Sequence, residues 1–115
     1  MRRGEIRWVD LDPARGAESQ RRRPAVIVSN DGANATANRL GHGVITVVPV
    51  TSNTERVYPF QMLLPAKSTG LPKNSKAQAE QVRSVAAERI GAKVGLLSGD
   101  DLAVLDDALR LHLAL

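Results

Sequence analysis

Apolar and polar positions alternate in short runs along most of the chain, and helical spacing is sustained only at its end. Glu5 to Leu11 sets Ile6 and Trp8 against Glu5 and Arg7 and predicts a first strand that stops at Asp12-Pro13. Pro24 to Ser29 is continuously apolar until Ser29 and is closed by Asn30-Asp31-Gly32, residues that favour turns. Residues 33–40 have room for one or two helical turns. After Gly41-His42-Gly43, the β-branched run Val44 to Val50 predicts a strand that ends in the hydroxyls of Thr51 and Ser52. Tyr58 to Leu64 predicts a fourth strand. Ser75 to Val85 predicts a fifth, with Ala77, Ala79, Gln81, Arg83 and Val85 on one face. Gly91 and Gly95 bracket another short strand. Ser98 then caps a helix in which Leu102, Leu105, Leu109 and Leu113 recur at helical spacing, so that one face packs on the sheet.

Short strands separated by turns, with one clear helix at the end, predict a mainly β fold: a small twisted sheet or partly open barrel rather than a parallel βαβ protein. With 115 residues and no linker or repeat, the chain is expected to form one domain over 1–115. Trp8, Tyr58 and Phe60, the only aromatic residues, fall in predicted strands and are assigned to the core. The segment 14–22 is too polar to bury and long for a hairpin, the kind of loop that often carries function.

Composition narrows the chemistry. There is no cysteine and there are only two histidines, which excludes a disulfide framework and leaves few ligands for a zinc site. No cofactor is expected. The start of the chain lacks the apolar segment of a signal peptide and nothing elsewhere is long enough to span a bilayer, so a cytoplasmic protein without membrane contact is expected. Sixteen lysines and arginines face 12 acidic residues, for a net charge of +4. The arginines gather at residues 2–23 and the aspartates near the C-terminus, which points nucleic acid to the basic end.

Arg21, Arg22 and Arg23 stand directly before Pro24, where a loop becomes a strand. A guanidinium is a planar, permanently charged fork that matches phosphate oxygens, and a following proline holds Arg23 in an extended backbone. Arg23 is therefore the best positioned of the three, while Arg21 and Arg22 suit general phosphate affinity or a solvated loop.

These segments, taken in order, resemble the MazF/PemK/Kid family of toxin endoribonucleases over nearly the whole chain. The resemblance is carried by Arg3-Gly4-Glu5-Ile6 with Trp8 and Asp10-Leu11-Asp12-Pro13, by Gly16-Ala17-Glu18, by Arg23-Pro24-Ala25-Val26, by Val48-Pro49-Val50-Thr51-Ser52, by Tyr58-Pro59-Phe60, and by Ala79-Glu80-Gln81-Val82-Arg83-Ser84. It implies an SH3-like small barrel of the CcdB/PemK kind and a homodimer. It also implies a MazE-like antitoxin partner and metal-independent cleavage of single-stranded RNA at short sequences. In the family the arginine before the proline and the hydroxyl after the central strand are catalytic, which here are Arg23 and Thr51. Glu18 and Gln81 match further family positions. Many relatives have serine where this chain has Ala17.

Cleavage through the RNA's own 2′-hydroxyl requires a proton acceptor, a proton donor for the leaving 5′-oxygen, and cations for the charge that builds on phosphorus. His42 lies in a turn and His112 near a helix end, positions with ordinary structural explanations. Arg23 fits the cation role, and its high pKa makes it a poor base. Thr51 can donate to the same phosphate or relay a proton. Glu18 has two roles open to it, accepting the 2′-hydroxyl proton or orienting Arg23. The segment beginning at Ser52, with Gln81 and Arg83, is expected to border the RNA, and loop 14–22 to read its bases. Two other functions compete: a non-catalytic CcdB-like poison of gyrase, and an RNA-binding module without catalysis.

Overall fold

Two strands in the middle of the sheet are buried on both faces, which is why their sequences read as continuous apolar runs rather than alternations. They are β2 (Arg21–Ile27) and β3 (Val44–Thr51). Val26 and Val48 join one apolar cluster with Ile6, Leu64 and Leu105, whereas their neighbours Ala25, Ile27 and Val47 join a second cluster with Val9, Ile45 and Ala37. The first cluster is covered by α3 (Gly99–Leu113) and the second by α1 (Asp31–Leu40). Each fully buried valine or isoleucine there is worth about 1.5–3 kcal/mol. The computed structural model describes residues 1–12 and 21–115, with Asp12 and Arg21 described through their backbone alone.

The sheet runs β4-β5-β3-β2-β1-β7, with β6 also paired to β3. The other strands are β1 (Glu5–Asp12), β4 (Gln61–Leu64), β5 (Ser75–Gln78), β6 (Arg83–Ala86) and β7 (Ile90–Leu96), all pairing antiparallel. β7 follows β1 through two register shifts, the bulges that coil a small sheet. The two ends of the path approach through the short helix α2 (Ala66–Thr69), which rests on β7. At Gly95 a Cβ would come within 2.0 Å of the Thr69 carbonyl oxygen, so only glycine permits this approach. The result is a mainly β, partly open barrel with a C-terminal helix, as the pattern of short strands predicts.

Several elements differ from the sequence expectation. Helix α1 starts at Asp31 because Asn30, expected in a turn, caps it, its side chain accepting from the Ala33 N–H at 2.8 Å. The strand expected over Tyr58 to Leu64 begins only at Gln61, and Tyr58 is 41% exposed and stacked on Phe60, so neither is a core residue of the sheet. The strand expected over Ser75 to Val85 is broken by a 3₁₀ turn at Ala79–Gln81. β5 pairs Val50 with Ala77, and β6 pairs Val47 with Arg83, so five residues on one strand face two on β3. The three extra residues leave the sheet, and Gln81 and Arg83 do not share a face with Ala79. On α3, Leu105 is fully buried and Leu102 and Leu109 pack beside it, but Leu113 is 48% exposed.

The arginines near the start of the chain are largely committed to structure. Gly4 takes φ +94°, a conformation open to glycine, and turns Arg3 and Glu5 inward from either side. Arg3 donates to the Val28 carbonyl at 2.9 Å and pairs with Asp106 of α3, while its own N–H donates to Asp31 of α1. Arg7 and Lys93 lie 3.1 and 3.6 Å from the buried Glu5 carboxylate. Burial alone would raise the Glu5 carboxyl, but the Arg2 N–H and the Arg7 guanidinium outweigh it and hold the group below its ordinary value of 4.5. No helix among the described residues is long and apolar enough to cross a membrane.

Two outcomes are expected. Gly95→Ala should lower the unfolding free energy by more than about 2 kcal/mol in urea titrations, because a backbone carbonyl cannot yield as a side chain would. Glu5 stabilises the fold at pH values above 4.5, and that contribution is lost as pH falls through its depressed folded value. Glu5→Gln should therefore flatten the acid limb of the Tm–pH curve, and an unchanged limb would reject this role.

Candidate active site

The ladder between β2 and β3 ends at Ala25 opposite Pro49. Pro24 and Pro49 mark that end, and neither has an N–H to donate to a ladder. Beyond it β3 leaves β2 and pairs with β5, Thr51 opposite Lys76. The opening between the parted strands is a cleft of about 410 Å³. Carrying the β2–β3 register two residues past Pro49 sets Arg23 opposite Thr51, and both line the cleft.

Trp8, Pro24, Val50 and Pro72 form the apolar part of the wall. Trp8 stands opposite Pro24 on β1 and is half-buried; the core assignment from the sequence is corrected to a cleft wall. Thr51 Oγ1 accepts the Asn53 N–H at 3.3 Å, which fixes the oxygen and leaves its proton for another acceptor. Ser52 adds a second hydroxyl. From the opposite side come Lys73 and Ser75, whose loop is firmly supported. Leu71 is buried in the core, Asn74 accepts the Ala66 N–H at 2.9 Å, and the Ser75 hydroxyl donates to the Lys73 carbonyl at 2.9 Å.

Arg23 and Lys73 are exposed, and among the described residues no carboxylate lies within 4.0 Å of either. Two cations with no counter-charge among the described residues, and two hydroxyl groups, around an apolar wall suit a phosphate attached to a sugar and base. Among the described residues no three histidine or carboxylate side chains converge to hold a metal ion.

Of the residues singled out in the sequence, Arg23, Thr51 and Ser52 meet in this cleft. Arg22 does not: it stands opposite Asp10, with its guanidinium resting over Gly91 of β7. Gln81 is exposed on the 3₁₀ turn and Arg83 pairs with Val47 on β6, both outside the cleft lining. Glu18, Ala17 and most of loop 14–22 lie outside the described residues, as does the side chain of Arg21. The sequence offered no sign of Lys73 beyond a Pro-Lys-Asn loop, because its place depends on β3 changing partners.

A mainly β barrel whose arginine–threonine cleft suits a phosphate has the features of a small nucleic-acid-acting protein, and comparison with known proteins agrees. The pattern of the PemK-like, MazF-like toxins of type II toxin-antitoxin systems matches residues 2–113. Endoribonuclease MazF9 of Mycobacterium tuberculosis is 66% identical over 115 residues, covering 100% of this chain and 98% of that protein. A MazE–MazF structure from Deinococcus radiodurans is 27% identical with a TM-score of 0.78, covering 100% of this chain and 96% of that one. The Mycobacterium tuberculosis toxin MazF-mt6 has the same fold at 19% identity, with a TM-score of 0.79 and coverage of 96% and 97%. The chain belongs to the PemK-like, MazF-like toxin family.

Proposed function

We propose that the protein is an endoribonuclease toxin that cuts single-stranded RNA at the cleft between β2 and β3. The observation that carries this reading is the meeting of Arg23, Thr51 and Lys73 around one nucleotide-sized opening, in a chain 66% identical along its length to an endoribonuclease. Arg23 places its guanidinium on the scissile phosphate and stabilises the charge that builds there, a contribution of about 3–4 kcal/mol by analogy with an oxyanion-hole donor. Lys73 holds the same phosphate from the opposite wall. The Thr51 hydroxyl, its oxygen oriented by the Asn53 N–H, donates to a phosphate oxygen or passes a proton towards the leaving 5′-oxygen. Ser52 assists at the rim. The 2′-oxygen attacks phosphorus, the bond to the 5′-oxygen breaks, and a cyclic phosphate and a 5′-hydroxyl result. Glu18 is the proposed acceptor of the 2′-hydroxyl proton or the partner that orients Arg23. Arg21 and Arg22 would add phosphate affinity beside the site; Gln81 and Arg83 are proposed to meet RNA only beyond this cleft.

The partner we propose is a MazE-like antitoxin, as in the Deinococcus complex, and an RNA substrate of this kind places the action in the cytoplasm. We assign the strip in which the exposed Leu113 and Leu115 lie beside Leu109, Val28 and Val82 to contact with a second copy, since an apolar patch of this kind on a small monomer marks an interaction site. Sedimentation should give the mass of two chains, and Leu113→Asp should shift it towards one; a wild-type protein that sediments as one chain rejects the assignment.

With end-labelled RNA in excess EDTA, cleavage should leave 2′,3′-cyclic phosphate and 5′-hydroxyl ends. Arg23→Ala should slow it by about 10²–10³-fold with Tm unchanged, and Thr51→Ala similarly, whereas Thr51→Ser should retain cleavage within about tenfold. Binding without scission would favour the RNA-binding module, and inhibition of gyrase with intact RNA the CcdB-like poison.

A further inference from the structure

We propose that a second cleft beside the first is a phosphate subsite, in which Lys76 and Arg56 hold a neighbouring phosphodiester of the same RNA strand. The proposal rests on the RNA-cleavage reading for the identity of the ligand, but not for the site itself. The cleft has a volume of about 480 Å³ and is lined by Asn53, Glu55, Arg56, Tyr58 and Lys76.

Lys76 is the unusual member. Its residue is only 7% exposed, yet among the described residues no carboxylate lies within 4.0 Å of its ammonium. A buried charge without a counter-charge is costly, and side chains of this kind are rarely buried unless paired. One of its three donors goes to the Arg56 carbonyl at 2.5 Å, and the Tyr58 ring centroid lies 6.0 Å away. The other two donors remain for the cleft. Glu55 lines the same cleft but does not reach ion-pair distance of either cation, and its N–H is tied to Asn53 Oδ1 at 3.2 Å.

Arg56 is held as well. Its guanidinium lies 5.8 Å from the Tyr58 ring centroid and donates to the Tyr58 hydroxyl at 3.2 Å. A guanidinium fork and an ammonium facing one opening, with the Asn53 amide beside them, form a donor-rich anion site. Its position favours RNA over any other anion. Thr51, at the proposed scissile phosphate, is the ladder partner of Lys76, and Asn53, two residues further on, lines the second cleft. Two residues of extended chain span at most about 7 Å, so a strand lying across the first cleft enters the second within about two nucleotides.

The test uses an oligonucleotide made uncleavable by a 2′-deoxy sugar at the scissile position, with flanking linkages neutralised one at a time as methylphosphonates. Neutralising the linkage held by Lys76 should weaken wild-type binding roughly fivefold and lower the salt slope of log K by about 0.7. Lys76→Met should lose the same factor on the natural oligonucleotide and nothing more on the neutralised one. Additive losses, or no loss at any flanking linkage, overturn the proposal. If Lys76→Met does not fold, Arg56→Gln runs the same cycle with the same two outcomes. Unchanged RNA binding with lost binding of an acidic peptide assigns the cleft to a protein partner and also overturns it. A coupled cycle in a wild-type protein that fails to cut RNA removes the proposed catalysis and leaves the subsite standing, and cleavage with an additive cycle does the reverse.

Discussion

The register of β3 is the constraint on which the rest of the structure depends. Val47 pairs with Ile27 on one side and Arg83 on the other, and three residues later Val50 has left β2 and pairs with Ala77. A strand can change partners this way only if the neighbouring chain takes up the difference. The three residues of the 3₁₀ turn at Ala79–Gln81 do so on one edge, and the parting from β2 after Ala25 and Pro49 does so on the other. The cleft with Arg23 and Thr51 is the space this exchange opens, and its walls are strand ends packed against core residues that are fully buried. Its Arg23 and Thr51 sides are held by backbone ladders, which position side chains more tightly than loops do, while Lys73 comes from a loop.

Charge is divided by the same architecture. Arginines that look alike in sequence have different work in the fold. Arg3 and Arg7 are bound to Asp106 and Glu5 and hold the start of the chain to α3 and to β7, whereas Arg23 and Lys73 face an opening with no carboxylate beside them among the described residues. A net charge of +4 therefore understates the field in the cleft, because among the described residues none of the carboxylates that reduce the total lines it. Lys76 continues that field under Tyr58.

Much of this was legible in the sequence. The order of β1, β2, β3 and α3 follows from alternation, turn residues and the leucine spacing, and Arg23 before Pro24 with Thr51 after the central strand marked two members of the site. Elements whose form depends on a partner were not legible. Ser75 to Val85 has the pattern of one strand, and nothing local shows that β3 takes up two of its residues where the chain supplies five. Trp8 alternates with Ile6 and so reads as core, but the β2–β3 ladder stops at Ala25, one residue short of Pro24, the residue opposite Trp8, which leaves one side of the ring to the cleft. Lys73 and Lys76 had no pattern at all, since their place is set by the strand across from them.

The contact of α2 with β7 gives the barrel a seam. Every other junction in the sheet is a ladder, but here Thr69 and Gly70 lie on Val94 and Gly95, and among the described residues no backbone hydrogen bond crosses between them. A junction without a ladder rests on packing alone, and segments with fewer backbone hydrogen bonds open at lower free-energy cost. Lys73 and Ser75 follow α2 along the chain, up to the first residue of β5. An RNA strand bound across Arg23 and Lys73, as proposed, would tie β2 to the segment after α2 and by mass-action linkage favour the closed barrel.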